Sequence, residues 1–482
     1  MATSGPDTEG ESKHDPSNRT NPDIITGILT GTDTTNTDDL ILQANGHKPQ
    51  LRRQFNWLSA LGLGFSITNS WVGYLSNFGQ SMTYGGPRLV IVGLILAFLA
   101  QSIISIGLAE IGSAFPSSGG QYHFCYLLAP QRSRRFAAYV VGWMSIVAWW
   151  VTTNPCLCRI QEDLSYLPAH SAFIYCRRYN DAFRSYRADD GHQTALHIAE
   201  EMQHPGRRVP QVIITTLMIG LSTTLPLFVA LLLFSSNTEE IIDSTLPSAE
   251  LLHQATGSRA GTMFLIIWIL IVYISCLPSQ WVTSGRLAWA FARDNGTPFP
   301  RYFSAISPTF QFPVRTTTAA YVFVLLYGLL YLASTTAFNS IITSAVLFLN
   351  ITYAVPQGIL LLRRARSLLT NTSKTNTNMS ILPPRYLNLG PLLGLFCNAF
   401  SILWIIVLGV FVCFPPEIPV NLASANYTPA VVVGIFGLIL LFWGLSGRKM
   451  FEGPRVDWER LELGLRVRAC LSFSHFVCGG HG

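Results

Sequence analysis

Between Leu89 and Ala109 the chain reads LVIVGLILAFLAQSIISIGLA, without one charged residue. A run this long and apolar matches the hydrocarbon core of a bilayer, which a helix of about 20 apolar residues crosses. Comparable runs are expected as spans near residues 57–75, 136–153, 209–234, 262–282, 317–332, 341–362, 389–414 and 429–445. Charged residues make up only 12% of the chain, about half the share of a soluble domain. The fold class that follows is an all-α polytopic membrane protein with nine clear spans.

The charges that remain sort into loops. Arg132, Arg134 and Arg135, then Arg293, Arg301 and Arg315, then Arg363, Arg364, Arg366, Lys374 and Arg385, and last Arg448 and Lys449 form basic clusters. The positive-inside rule places these in the cytosol, with both termini. The loop 235–259 carries Glu239, Glu240, Asp243 and Glu250 and belongs outside. The net charge of +6 therefore reports topology and does not indicate nucleic acid as a partner. The nine cysteines show no zinc-type spacing, so neither a metal nor a cofactor is expected. No P-loop, HExxH or Ser-His-Asp pattern supports an ATP-driven pump or a hydrolase, and the chain reads as a non-enzyme. Residues 1–51 are polar and expected to be a disordered tail, with no cleavable signal peptide.

The first span is the unusual one. Gly62, Gly64, Ser66, Thr68, Asn69 and Ser70 interrupt an otherwise apolar helix. A bilayer tolerates freed backbone polar groups only where they face protein or a water-filled cavity. Ser66, Ile67, Thr68, Asn69, Ser70 and Trp71 are therefore candidate ligand-binding residues. The competing reading is a continuous helix whose small residues let a neighbour pack closely. Trp71 and Tyr74 could offer ring faces to a quaternary ammonium group, or simply pack. Glu110 closes the second span. It is a candidate for proton coupling or for pairing with a cation such as Arg286. Glu200, Glu201 and Arg207 suggest an inside-loop charge network, a gate latch in its sharpest form. Arg286, Arg293 and Asp294 flank the inner end of a helix, and Asn339, Asn350 and Thr352 are placed for bonds between helices.

Several motifs in order resemble the amino acid–polyamine–organocation permeases, above all their fungal choline/GABA branch. They are Gly64-Phe-Ser-Ile-Thr-Asn-Ser-Trp71, the Gly85-Gly-Pro87 turn, Ala109-Glu110 with Pro116-Ser-Ser-Gly-Gly-Gln-Tyr122, His197-Ile-Ala-Glu-Glu-Met202 with Pro205-Gly-Arg-Arg-Val-Pro210, and Ser284-Gly-Arg-Leu287 through Pro298 to Pro313-Val-Arg315. The resemblance implies a LeuT-like fold of twelve helices with two inverted five-helix repeats and a site between broken helices 1 and 6. It also implies alternating-access transport of a small amine-containing solute (choline, GABA or another amino acid), driven by a proton, in the plasma membrane.

One stretch departs from that pattern. Where helices 4–6 would take on the order of a hundred residues, the chain offers only residues 154–190, rich in Arg, Asp and Glu. His192 stands as a remnant candidate at the end of the missing sixth helix. Three spans leave Thr153 outside while the later loops place His197 inside, so a crossing is unaccounted for. The expected organisation is a tail (1–51), helices 1–3 (52–153), an atypical polar segment (154–208), helices 7–12 (209–446) and a cytosolic tail (447–482). The alternative function is a non-transporting degenerate relative, or a coding sequence that has lost helices 4–6.

Overall fold

In the computed structural model of the chain, the structure describes residues 42, 53, 55–166, 194–244, 246–369, 382–383, 385–415, 425–454 and 456. Most of the expected tails, residues 167–193 of the atypical segment and His192 therefore lie outside the described residues. Among the described residues there are helices and no strands. One isolated parallel bridge joins Phe55 to Met202, with the Phe55 amide donating to the Glu201 carbonyl at 3.1 Å.

The helices run α1 Trp57–Thr68, α2 Ser70–Ala114, α3 Gln121–Leu128, α4 Arg134–Tyr166, α5 Thr194–His197, α6 Pro205–Phe234, α7 Thr238–Asp243 and α8 Pro247–Thr256. They continue with α9 Arg259–Arg293, α10 Pro300–Phe303, α11 Val314–Ala333, α12 Thr335–Leu369, α13 Gly390–Val412, α14 Thr428–Phe442 and α15 Arg448–Met450. Seven helices among the described residues are long and apolar enough to cross a membrane: Gly85–Ala114, Arg134–Thr153, Pro205–Phe234, Arg259–Arg293, Ser340–Leu368, Gly390–Val412 and Thr428–Met450. The shorter apolar helix Val314–Leu330 falls on another expected span. The last is covered by α1 together with the first turns of α2.

Sequence chemistry explains the interruptions. α2 bends at Gly86, whose φ of 62° and ψ of −166° lie outside the helical region. Glycine reaches that conformation without a Cβ clash, and Pro87 then restarts the helix without needing an amide bond. α4 does not stop at Thr153, where the apolar span ends, but continues to Tyr166. The expected polar segment is thus shortened at both ends, because residues 194–202 also fold, into α5 and a 3₁₀ turn at Ala199–Glu201.

Two large apolar cores divide the described residues. The larger joins the ends of α2 and α9 and the first half of α4 with α3, α5, the start of α6 and α12, around Trp289, Phe291, Tyr122 and Tyr353. The smaller joins the start of α2, the end of α6, α7, α8 and the start of α9, around Phe78, Phe228 and Tyr273. The first core sits at an end rich in arginine. The second lies under α7 and α8, which carry Glu239, Glu240, Asp243 and Glu250. The charge segregation expected from the loops is therefore a segregation between the two ends of the bundle.

Candidate functional site: a broken first helix and a charged end

The first helix does break, and it breaks at Asn69. That residue has φ 36° and ψ 48°, the left-handed region, which asparagine tolerates better than other residues with a Cβ. Its amide donates to the Phe65 carbonyl at 2.8 Å, closing α1. Its own carbonyl accepts the amides of Val72 and Gly73, both at 3.0 Å, and opens α2. A single residue thus ends one helix and starts the next.

Neighbouring helices hold the break in place. Ser66 hydrogen-bonds Ser279 of α9 at 2.7 Å and also donates to the Leu63 carbonyl at 2.9 Å. The Cys276 thiol lies 3.9 Å from the Ile67 carbonyl, and the Tyr273 hydroxyl lies 3.5 Å from the Val72 carbonyl. Residues 273, 276 and 279 follow a three-residue spacing, so one face of α9 touches both sides of Asn69. On α6, a side chain at Gly220 would put its Cβ 2.5 Å from Ser70 Oγ. Ile67, Thr68, Asn69 and Ser70 are buried, and Ser66 and Trp71 are half-buried. The six candidates therefore gather at one place among neutral neighbours. Tyr74 is placed differently. Its hydroxyl donates to the Val90 carbonyl and its ring meets Phe228 edge-on at 4.7 Å, so it packs within the smaller core. Residues 273, 276, 279 and 220 had no signal in the sequence, because their role exists only where α9 and α6 cross the break.

The second feature is a set of buried carboxylate–arginine pairs at the basic end. Glu200 takes both terminal nitrogens of Arg293 at 2.9 Å and the Ser118 amide at 3.1 Å. Burial by itself would raise the Glu200 carboxyl, but Arg293 outweighs it and holds the group below its ordinary value. Glu201 pairs with Arg286, including a 2.8 Å bond from Nη2. Arg286 also lies over the rings of Phe55 and Phe312. His197 places Nδ1 3.2 Å from the Ser118 carbonyl, and burial lowers its pKa to about 4. The Ser118 turn is thus held by His197 and Glu200, three residues apart. Tyr122 donates to Asp294 at 3.0 Å, and burial raises Asp294 to about 6 against the pull of Arg293.

Three expectations change here. Glu110 does not pair with Arg286. It is fully buried in the last turn of α2, and it accepts from Arg364 at 2.7 Å and from Arg385 Nε at 3.0 Å, because α12 and the segment before α13 lie against that turn. Arg207 does not join Glu200 and Glu201. Its guanidinium stacks over Tyr386 at 5.3 Å. Thr352 donates to Leu349 of its own helix; Asn350 makes one such bond, to Val346, and the side chain of Asn339 lies outside the described residues.

A broken first helix with hydroxyls at the break, and an end clamped by buried ion pairs, is an arrangement suited to holding a small polar ligand in a membrane. Sequence comparison supplies the lineage: the profile of the amino acid permease family matches residues 188–436. The chain belongs to the amino acid permease family. The permease is 28% identical to the choline transporter of Saccharomyces cerevisiae, over 83% of this chain and 83% of the relative. It is 27% identical to the transmembrane transporter swnT of Metarhizium robertsii, over 84% of this chain and 93% of the relative. It is also 20% identical to the amino-acid permease BAT1 of Arabidopsis thaliana, over 86% of this chain and 95% of the relative. The matched region of the permease begins just before α5 and takes in Glu200, Glu201, Arg286 and Arg293.

Proposed function

We propose that this permease moves a small amine-containing solute, of the choline, GABA or amino acid class, by alternating access driven by a proton gradient. The observation that carries the reading is the break at Asn69, buried and fixed by Ser279 on one side and Gly220 on the other. Helix ends at the break present dipoles to an ammonium or a carboxylate without a fixed counter-charge. Ser66, Thr68, Asn69 and Ser70 would orient the headgroup, with Trp71 beside them. At the acidic end, the carboxylates of α7 and α8 would attract a cation before it enters. At the basic end, Glu200–Arg293 and Glu201–Arg286 tie residues 194–202 to α9 and to Phe55, just ahead of α1. Opening the cytosolic side would require these pairs to separate, which makes them the inner latch. Glu110 serves as an anchor in this scheme, because neutralising it would strand two buried arginines.

A second reading rests on a separate observation. The match to the choline transporter runs over 482 aligned positions yet takes in 83% of this chain, about 400 of its residues, so about 80 positions have no counterpart here. The shortfall is about the size of three spans with their loops, as is the departure in residues 154–190. On this reading the chain keeps half of the ligand site and does not transport. Uptake of labelled choline, GABA and amino acids in a permease-deficient host, with surface level measured alongside, separates the two. Uptake above the vector control supports the first reading, and a surface-resident protein with none supports the second.

A further inference from the structure

Glu110 is outnumbered by the arginines it holds. One fully buried carboxylate faces the guanidiniums of Arg364 and Arg385, whose side chains are only 6% and 8% exposed. Among the described residues neither arginine pairs with another acid. One positive charge is therefore left over in a poorly solvated place, an unfavourable state without an anion nearby.

The same place gathers two more arginines. Ser113 donates to the Gly206 carbonyl at 2.6 Å and accepts the amides of Tyr386 and Leu387 at 3.1 and 3.2 Å. This sets the start of α6 beside the segment that carries Arg385. Arg207 then lies over Tyr386, and Arg208 donates to Gln211 at 3.2 Å. Both sit in the first turn of α6, where the helix dipole is positive and cations are disfavoured. The helix start that carries Arg207 and Arg208 thus lies beside Tyr386, the neighbour of Arg385, which with Arg364 holds Glu110. Arginine is the side chain whose planar fork fits a phosphate.

An apolar surface begins next to this cluster. Leu392, Phe396 and Leu403 of α13 are exposed and spaced to share one face of the helix. We propose that this corner binds an anionic phospholipid of the cytosolic leaflet, its phosphate at Arg207 and Arg208 and its acyl chains along α13. The positive-inside rule puts this end at the leaflet that carries anionic lipid. The proposal does not depend on whether the chain transports.

The test uses the purified full-length protein in nanodiscs of phosphatidylcholine, with and without phosphatidylserine. Retained lipid is read by native mass spectrometry and stability by the unfolding midpoint. Phosphatidylserine is expected to be retained selectively and to raise the midpoint. R207Q/R208Q should lower its retention by about fivefold per arginine, while R301Q/R448Q, which removes other arginines of the same end, should not. Gln211→Glu sets a carboxylate beside Arg208 without deleting an arginine, and it too should lower retention. Equal retention of both lipids would overturn the proposal, as would equal losses in the two double variants. A midpoint rise reproduced by inorganic phosphate alone, without lipid selectivity, would mean a soluble anion is the ligand and would also overturn it.

Discussion

Glu200 and Arg293 face each other fork to fork, two nitrogens on two oxygens at 2.9 Å, with the Ser118 amide on the same carboxylate. Breaking a buried pair from one side leaves the other charge uncompensated. Glu200→Gln is expected to lower stability by about 3–5 kcal/mol, read as the thermal unfolding midpoint in detergent. Glu200→Gln combined with Arg293→Met should recover part of that loss, since removing both charges removes the stranded one. No loss in the single variant would mean that the pair is solvated and is not a latch.

The histidines and Asp294 at this end make stability depend on pH with opposite signs. Burial lowers His123 from 6.5 to about 3 and His197 from 6.5 to about 4. Their contribution is present above pH 6.5 and is lost as pH falls toward the folded values. Asp294 is raised from 3.8 to about 6. Its contribution is full below about pH 4 and is lost as pH rises through 6. Midpoints measured from pH 7.5 to 4.5 should therefore fall less steeply in His197→Asn than in the parent, and more steeply in Asp294→Asn. Parallel curves for all three proteins would show that these groups are not held as the structure places them.

At the helix break, Ser279→Ala removes the bond to Ser66 and should cost about 1 kcal/mol. Gly220→Leu forces a side chain against Ser70 and should cost about 1–3 kcal/mol. Both are read as unfolding midpoints. Hydrogen exchange should show the added opening at residues 66–73 and not at α13. Exchange that rises uniformly would place the damage elsewhere.

The chain just after the last span is bound to the basic end as well. Phe451 is fully buried, with its ring 5.5 Å from Tyr139 and 5.4 Å from Phe291, and its carbonyl accepts from Arg135 Nε at 2.8 Å. Phe451→Ala is expected to cost about 3–5 kcal/mol in the same unfolding assay. Phe451→Leu, which keeps most of the apolar contact, should cost less. Equal effects would mean the ring is not packed as described.

The sequence alone determined what depends on local composition. Uncharged runs specify spans because a bilayer rejects charge at every position of a helix, and α6, α9, α12 and α13 lie where the hydropathy put them. Loop charge divided the two ends for the same reason. The break at residues 66–70 was legible because glycine, serine and asparagine are out of place in an apolar helix. What only tertiary structure decided is which charge meets which. Glu110 and Arg364 are separated by 254 positions, and nothing local distinguishes Arg364 from Arg286 as its partner. The pairing follows from α12 lying against the last turn of α2, while α9 brings Arg286 to Glu201. Ser279 and Gly220 likewise look like ordinary small residues until the crossing of α9 and α6 sets them against the break. Pattern in one dimension reports the solvent that a segment needs. Coulomb partners and close contacts depend on distance in three dimensions, and only the packed bundle supplies that.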